Sequence, residues 1–326
     1  MIKLSVGTAD VLGLKKLTTD APPTTAYLLA GDKCQQDCAF CPQARSSSGR
    51  ADMLSRVIWP SFPQGEVSQK LCRAYDNRTL KRACFQVVNK RDALEETRHL
   101  LKGIKKDSNI PVCVSCNLTK PEDALKLMDL GVDRVGIALD AACERVYADA
   151  KGDSWQKKLK LIEEAAELAP GRISTHLIVG LGETEQEMVS IMSHLITLGV
   201  TIGLFAFTPV KGTRFENKKQ PDIAHYRRIQ MAQYLLEQKA VGLKDFIFED
   251  GVLTDFGLPQ EQLQNIASTG IPFRTTGCPD CNRPYYNEKP GGTIYNYPRP
   301  LTTDEISLVL KQLGLSGDEK HAVAST

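Results

Sequence analysis

Short apolar runs alternate with longer stretches of helical periodicity along most of the chain. TTAYLLAG (24–31), ACFQVV (83–88), IPVCVS (110–115), RVGIAL (134–139), ISTHLIVG (173–180), IGLFAF (202–207), LKDFIF (243–248) and IPFRTT (271–276) each read as a buried strand, eight in all. Helical spacing is clearest in TEQEMVSIMSHLITLG, where Met188, Ile191, Met192, Leu195 and Leu198 recur at three and four residues. Thr184 and Glu187 make a capping box at its start, and Gly199 is placed to end it. PEDALKLMDLG (121–131), with Pro121 in its first turn, WQKKLKLIEEAAELAPG (155–171) and DIAHYRRIQMAQYLLEQ (222–238) repeat the pattern.

Such alternation predicts a parallel sheet, and eight strand–helix units over about 250 residues match a closed (β/α)8 barrel of the TIM type, an α/β fold. The reading divides the chain into an N-terminal segment (1–23), the barrel (24–276) and a C-terminal extension (277–326). GCPDCNRPYYNEKPGGTIYNYPRPL, rich in Cys, Pro, Gly and Tyr, predicts an ordered cap, followed by one helix near 303–313 and a loose tail. Working groups in such barrels sit on the loops after the strands.

The 326 residues, 42% hydrophobic, suffice for a full core. No apolar run approaches the roughly 20 residues that span a bilayer, and MIKLSVGTADVLGLKKL lacks the continuous apolar stretch of a signal peptide, so a cytoplasmic protein is expected. Lys and Arg number 41 against 39 Asp and Glu, a net +2 that predicts neither a nucleic-acid surface nor a membrane-binding face. The ten cysteines change the picture more, because thiols in a reducing compartment are buried and inert, catalytic, or bound to metal.

GDKCQQDCAFCPQ places Cys34, Cys38 and Cys41 on a curled loop directly after the first strand, suited to directing three thiolates at one cuboidal iron–sulfur cluster. Three ligands leave one iron open to chelate the amino and carboxylate groups of S-adenosylmethionine (SAM) and pass an electron to its sulfonium. A structural zinc would ask for four ligands in paired CxxC units. The spacing, with Phe40 before the last cysteine, resembles the signature of the radical SAM superfamily. That resemblance implies a 4Fe-4S cluster on the three cysteines, a 5′-deoxyadenosyl radical drawn from SAM, and a contact between Phe40 and adenine.

Later segments resemble biotin synthase over roughly residues 24–215: ACFQVVNK, PVCVSCNLTKPEDALKLMDLGVD, GIALDAACERVY and HLIVGLGET. The resemblance implies SAM contacts at Asp140 and beside Gly180 and Gly182. Of the barrel cysteines that bind a second cluster in that family, this chain keeps Cys84 and Cys113 but has Ser174 at the third position. TTGCPDCNRPYYNE and PGGTIYNYPRPL instead resemble biotin-synthase-related proteins that include the two-component lipoyl synthases. This implies sulfur insertion, as a sulfurtransferase, into an octanoyl chain on a lysine of a lipoyl carrier protein. It also implies a sacrificial auxiliary 4Fe-4S cluster, a second radical SAM subunit and a reductant such as ferredoxin or flavodoxin.

Cys278 and Cys281 form a compact metal-binding turn, read as auxiliary-cluster ligands or as a zinc half-site. Cys72, Cys84 and Cys113 are the candidates to complete the set, with Cys116 in the same pool; Cys143 reads as structural. His176 reads as a core histidine, Arg274 and Arg283 as candidates to hold a substrate carbonyl or a cluster sulfide. The RSSS stretch (45–48) reads as a polar loop or a source of a hydroxyl ligand, and Lys211 and Thr213 as a turn or part of the cofactor site. Two other functions stay open: a radical reaction on a free small molecule, and a cluster-bearing scaffold without turnover.

Overall fold

The computed structural model describes residues 1–90, 92–288 and 291–316. It opens with strand β1 (Ile2–Leu4), helix α1 (Val6–Val11), capped by Ser5, and strand β2 (Thr25–Ala30). After the cysteine loop come a small antiparallel pair, β3 (Met53–Leu54) with β4 (Val57–Ile58), then β5 (Ser61–Phe62) and α2 (Gln64–Asp76). Alternation follows: β6 (Arg82–Val87), α3 (Ala93–Asp107), β7 (Val112–Ser115), α4 (Glu122–Met128) and β8 (Arg134–Gly136). It continues through α5 (Glu144–Lys151), α6 (Trp155–Leu168), β9 (Ile173–Val179), α7 (Glu185–Thr197), β10 (Thr201–Ala206) and α8 (Ile223–Glu237). The chain then makes a hairpin, β11 (Ile247–Glu249) with β12 (Val252–Asp255), and two more helices, α9 (Gln260–Ser268) and α10 (Thr303–Gln312).

Eight strands form one mostly parallel sheet of the (β/α)8 type in the order β10-β9-β8-β7-β6-β2-β1-β5. Six are parallel; β1 and β5 join the β2 edge antiparallel. The strands expected at 243–248 and 271–276 are not in this sheet. Residues 243–245 form a 3-10 turn closed by Asp245 Oδ2 on Gly242 N, and Ile247–Glu249 pairs only with β12. Ile271–Phe273 is a second 3-10 turn, in which Pro272 supplies no N–H for a ladder. The closure expected between first and last strands is therefore made differently, with the sheet running open from β10 to β5 among the described residues.

The C-terminal segment lies across the gap beside β10. Thr276 Oγ1 accepts from Leu204 N (3.0 Å) and Asn287 Nδ2 donates to Ala206 O (2.8 Å), so side chains satisfy the edge that a further strand would have paired. On its other side Asn282 and Asp280 bond Thr24 at the foot of β2. Arg227, fully buried on α8, donates to Ile294 O and Tyr295 O and pins the extension from below. The tail expected after 313 falls, from 317 on, outside the described residues.

Strand alternation separates two chemistries. Leu28, Phe85, Val112, Val114, Val135, Leu177 and Leu204 face the helices and are essentially sealed from solvent. The opposite face turns polar groups inward, and the register sets Tyr27, Cys84, Cys113 and Arg134 side by side across β2, β6, β7 and β8.

Candidate active site between two cysteine clusters

The loop leaving β2 is held by its backbone. Cys34 N donates to Gln43 O, Cys41 N to Cys38 O and Ala39 N to Ala150 O, while Gln43 Nε2 ties the loop to Ala51 O and Met53 O. Cys34, Cys38 and Cys41 line one cavity at the C-terminal ends of the strands, together with Phe40, Asp140, Lys151, Asn117 and His176. Burial pushes the Cys41 thiol up to about 12, helped by the neighbouring Cys38, and pushes Cys38 up to about 11 against the pull of Lys151. Both thiols hold their protons near neutrality unless a metal displaces them, so the donor set fits a cluster that supplies positive charge at this spot.

Asp140 stands at the end of the β8 segment with φ 67, in the left-handed region, and is nearly buried. Its backbone is fixed from both sides, with Asp140 N donating to His176 O and Asp140 O accepting from Ile178 N. Its Oδ2 meets Lys151 Nζ at 2.6 Å; the two side chains are 10% and 5% exposed. Burial alone would lower the lysine pKa, but Asp140 and then Cys38 hold it above the ordinary lysine value. Lys151 escaped the sequence reading: it is an unremarkable polar position of α5, brought to the site only by the packing of that helix.

Gly180 and Gly182 do not line either cavity. Glu183 folds back to accept from both of their N–H groups (2.6 and 3.0 Å), and Gly180, at φ 99, has Pro221 where a Cβ would stand 2.9 Å from Cδ. Their work here is to make the turn that follows β9. Lys211 is exposed and Thr213 bonds its own turn, while Ser46 and Ser47 bond Asp37 and Gly212 O. None of these reaches the cavities.

At the other end of the barrel lumen four cysteines converge. Cys84 and Cys113 point inward from β6 and β7, and the CPDC turn rises between the strand feet to bring Cys278 and Cys281 beside them. Cys113 Sγ and Cys278 Sγ are 3.4 Å apart and Tyr27 OH lies 3.3 Å from Cys281 Sγ. Gln86 Nε2 donates to Cys84 Sγ (3.1 Å) and Arg82 Nη1 to Cys113 Sγ (2.9 Å). Burial drives the Cys84 thiol far up, with Cys278 and Cys281 adding to it. The hydrogen bond between Cys113 and Cys278 raises the Cys113 thiol steeply and lowers that of Cys278, where Arg134, Arg82 and Arg283 also favour the thiolate. Among the described residues no three His, Cys, Asp or Glu side chains converge on a point that a single metal ion would fill; the thiols ring a cavity.

Cys72 is not in this set. It sits on α2 outside the barrel, one residue beyond the buried stripe of Val67, Leu71 and Ala74, in a surface groove with His99 and Asp107. Cys116 packs in the outer core and touches only the SAM-motif cavity, and Cys143 packs against the core before α5. Ser174 faces the four cysteines from β9. Arg274 is exposed and pairs through its backbone with Tyr297, whereas Arg283 lies inside.

A second cavity, of ≈ 230 Å³, adjoins the first through Phe40, Cys41, Asp140 and His176, and has Phe40, Cys41 and Asp140 at one end and Cys84, Cys113, Cys278 and Cys281 at the other. Tyr27, Leu54, Ile178, Phe205 and Phe207 make its wall largely apolar. His176 stands midway, edge-on to Phe205, and burial lowers its pKa to about 4, leaving a neutral ring.

The sequence matches the radical SAM superfamily over residues 28–195, half of the chain, and the chain belongs to that superfamily. Within it the protein is related to biotin synthase. The enzyme of Persephonella marina is 29% identical over 191 residues, 57% of this chain and 55% of that one; that of Vibrio parahaemolyticus is 24% identical over 230 residues, 69% and 64%. The match thus spans little more than half the length of these relatives. Among solved structures, HydG, a maturase of the [FeFe]-hydrogenase, superposes with a TM-score of 0.53 at 15% identity over 65% of this chain and 50% of its own. Methylornithine synthase (PylB) does so with 0.51 at 13% identity over 66% and 62%. These two share the fold.

Proposed function

We propose that the protein is a radical SAM sulfur-insertion enzyme, a lipoyl synthase subunit that adds sulfur to an octanoyl chain carried on a lysine of a lipoyl carrier protein. The observation that carries this reading is a cavity that has Cys41 and Phe40 of the superfamily loop at one end and four further cysteines at the other, with Cys34 and Cys38 lining the adjoining cavity that shares Cys41, Phe40, Asp140 and His176 with it. A SAM-bound cluster supplies hydrogen abstraction from an unactivated carbon, and an auxiliary 4Fe-4S cluster supplies sulfide.

The chain's own residues do the rest. Cys34, Cys38 and Cys41 offer three thiolates and Phe40 lies beside them; Asp140, held by Lys151, offers a carboxylate oxygen to the ribose hydroxyls. Cys84, Cys113, Cys278 and Cys281 offer four ligands to the auxiliary cluster. The apolar wall suits a saturated chain, excludes water and leaves the neutral His176 without a charge to solvate. An octanoyl-lysine arm is long enough to enter such a slot while its carrier protein stays outside. A second radical SAM subunit, a ferredoxin or flavodoxin reductant and a cytoplasmic setting belong to the same proposal.

The test is anaerobic turnover with SAM, dithionite and an octanoyl-lysyl peptide. The expected products are 5′-deoxyadenosine and a thiolated octanoyl group. Deoxyadenosine release without sulfur transfer, to that peptide or to the whole octanoylated carrier with the second subunit added, would reject the lipoyl synthase reading. No deoxyadenosine with any substrate would leave a scaffold.

A further inference from the structure

Three guanidinium groups surround the inner cysteines, and among the described residues only one of them has a carboxylate partner. Arg82, on β6 and buried, donates from Nη1 to both Cys113 Sγ and Asp133 Oδ2 (2.6 Å) and from Nε to Pro279 O (3.1 Å). Arg134 follows Cys113 in the strand register; its Nη1 reaches Thr201 Oγ1 and its buried Nε has no partner. Arg283 follows the CPDC turn with φ 31, its N–H on Tyr27 OH and its Nη2 on Thr276 O (2.6 Å). Its guanidinium lies 4.1 Å from the Phe205 ring centroid in the cavity wall, with no acid paired to it among the described residues. Space is reserved for it: a Cβ on Gly203 would stand 2.8 Å from Arg283 Nη1.

The remaining charged groups do not balance this surplus. Asp140 is at the far end of the cavity and committed to Lys151, Asp280 pairs with Lys81 at the surface, and His176 is neutral. Three cations against Asp133 leave two positive charges around four cysteines in a largely apolar chamber, and a Cys278 thiolate would offset only one of them. Such an excess is costly unless an anion occupies the chamber. A cubane core on four thiolates carries two net negative charges, and three after one-electron reduction.

We infer that Arg283, with Arg134 and Arg82, is the counter-charge of a cluster on Cys84, Cys113, Cys278 and Cys281, favouring its reduced form without ligating iron. The inference rests on the auxiliary-cluster reading above. Arg283 is a positioning and charge-setting residue here, not a ligand, since the four cysteines fill the four iron corners.

The test is an anaerobic redox titration with dithionite as electron donor, followed by EPR. It uses full-length chain with Cys34, Cys38 and Cys41 all changed to Ala, so that only the inner cluster contributes. The parent should hold about four irons per chain. Arg283→Gln should keep them and shift the reduced-to-oxidised ratio at fixed potential at least tenfold toward oxidised, about 59 mV for one electron. Arg283→Lys should restore most of it. If Arg283→Gln loses iron because the CPDC turn is disturbed, Arg134→Gln, on β8 and hydrogen-bonded to Thr201 rather than to that turn, should show the same shift. Four irons with an unmoved potential in Arg283→Gln or, where that variant does not load, in Arg134→Gln would overturn the inference alone. A parent without iron would instead remove the auxiliary cluster and the inference with it. A carboxylate-bearing substrate as the true partner of Arg283 would show as an unmoved potential in this background and a raised KM when Arg283→Gln is made in the wild-type chain, and also counts against it.

Discussion

Asp140 and Lys151 form a buried ion pair in the cavity lined by the superfamily cysteines. A left-handed aspartate is uncommon, and here the β9 backbone bonds on both its N–H and its C=O hold it there. Asp140→Ala should weaken SAM binding and, because it orphans the buried Lys151 ammonium, also lower the melting temperature; calorimetric titration with SAM giving wild-type affinity would remove Asp140 from the site. Lys151→Met leaves the carboxylate buried without a partner, a loss of roughly 3–5 kcal/mol by analogy with other broken buried pairs. Adding Asp140→Asn to Lys151→Met should recover part of that loss, because the orphaned charge is gone. Thermal unfolding of the four members of this cycle checks it, and a Lys151→Met melting curve matching wild type would contradict the pairing.

At the level of elements, what could be read from the sequence was what depends on neighbours along the chain. The Thr184–Glu187 capping box and the cysteine loop after a strand are local patterns, and the structure shows both. Cys84 and Cys113 could be assigned inward because alternation fixes the face of a strand. The strands expected at 243–248 and 271–276 failed because their apolar residues are shared with a hairpin and a 3-10 turn, and only tertiary pairing decides. Lys151 and Arg283 were invisible as an ion-pair partner and an unpaired cation, since their neighbours are distant in sequence: β8 with α5, β10 with the C-terminal cap. Cys72 misled because a cysteine count cannot tell an outer helix from a strand.

The cap itself makes a prediction about pH. Glu288 is buried and accepts from Asn287 N, Tyr295 N and Asn296 N, yet burial outweighs those bonds and holds its carboxyl above the ordinary glutamate value. The folded chain therefore keeps this proton to higher pH than the unfolded chain. Its contribution to stability is fullest below the ordinary glutamate range and declines as pH rises through the raised value. The melting temperature of wild type relative to Glu288→Gln should fall as pH rises above the ordinary glutamate range. A difference that does not change with pH would contradict this assignment.

For the whole molecule, the proposed function needs one lumen to serve two metal centres, with the superfamily loop above and a C-terminal segment wound into the barrel below. Because the two cysteine groups come from different elements, they should be separable. The decisive measurement is iron, sulfide and zinc analysis of anaerobically reconstituted wild type beside Cys278→Ala with Cys281→Ala. The account predicts about eight irons per wild-type chain, about four in the double variant, no zinc in either, and undiminished deoxyadenosine release from SAM in both. About four irons in both proteins, or zinc present in wild type and lost in the variant, would contradict it.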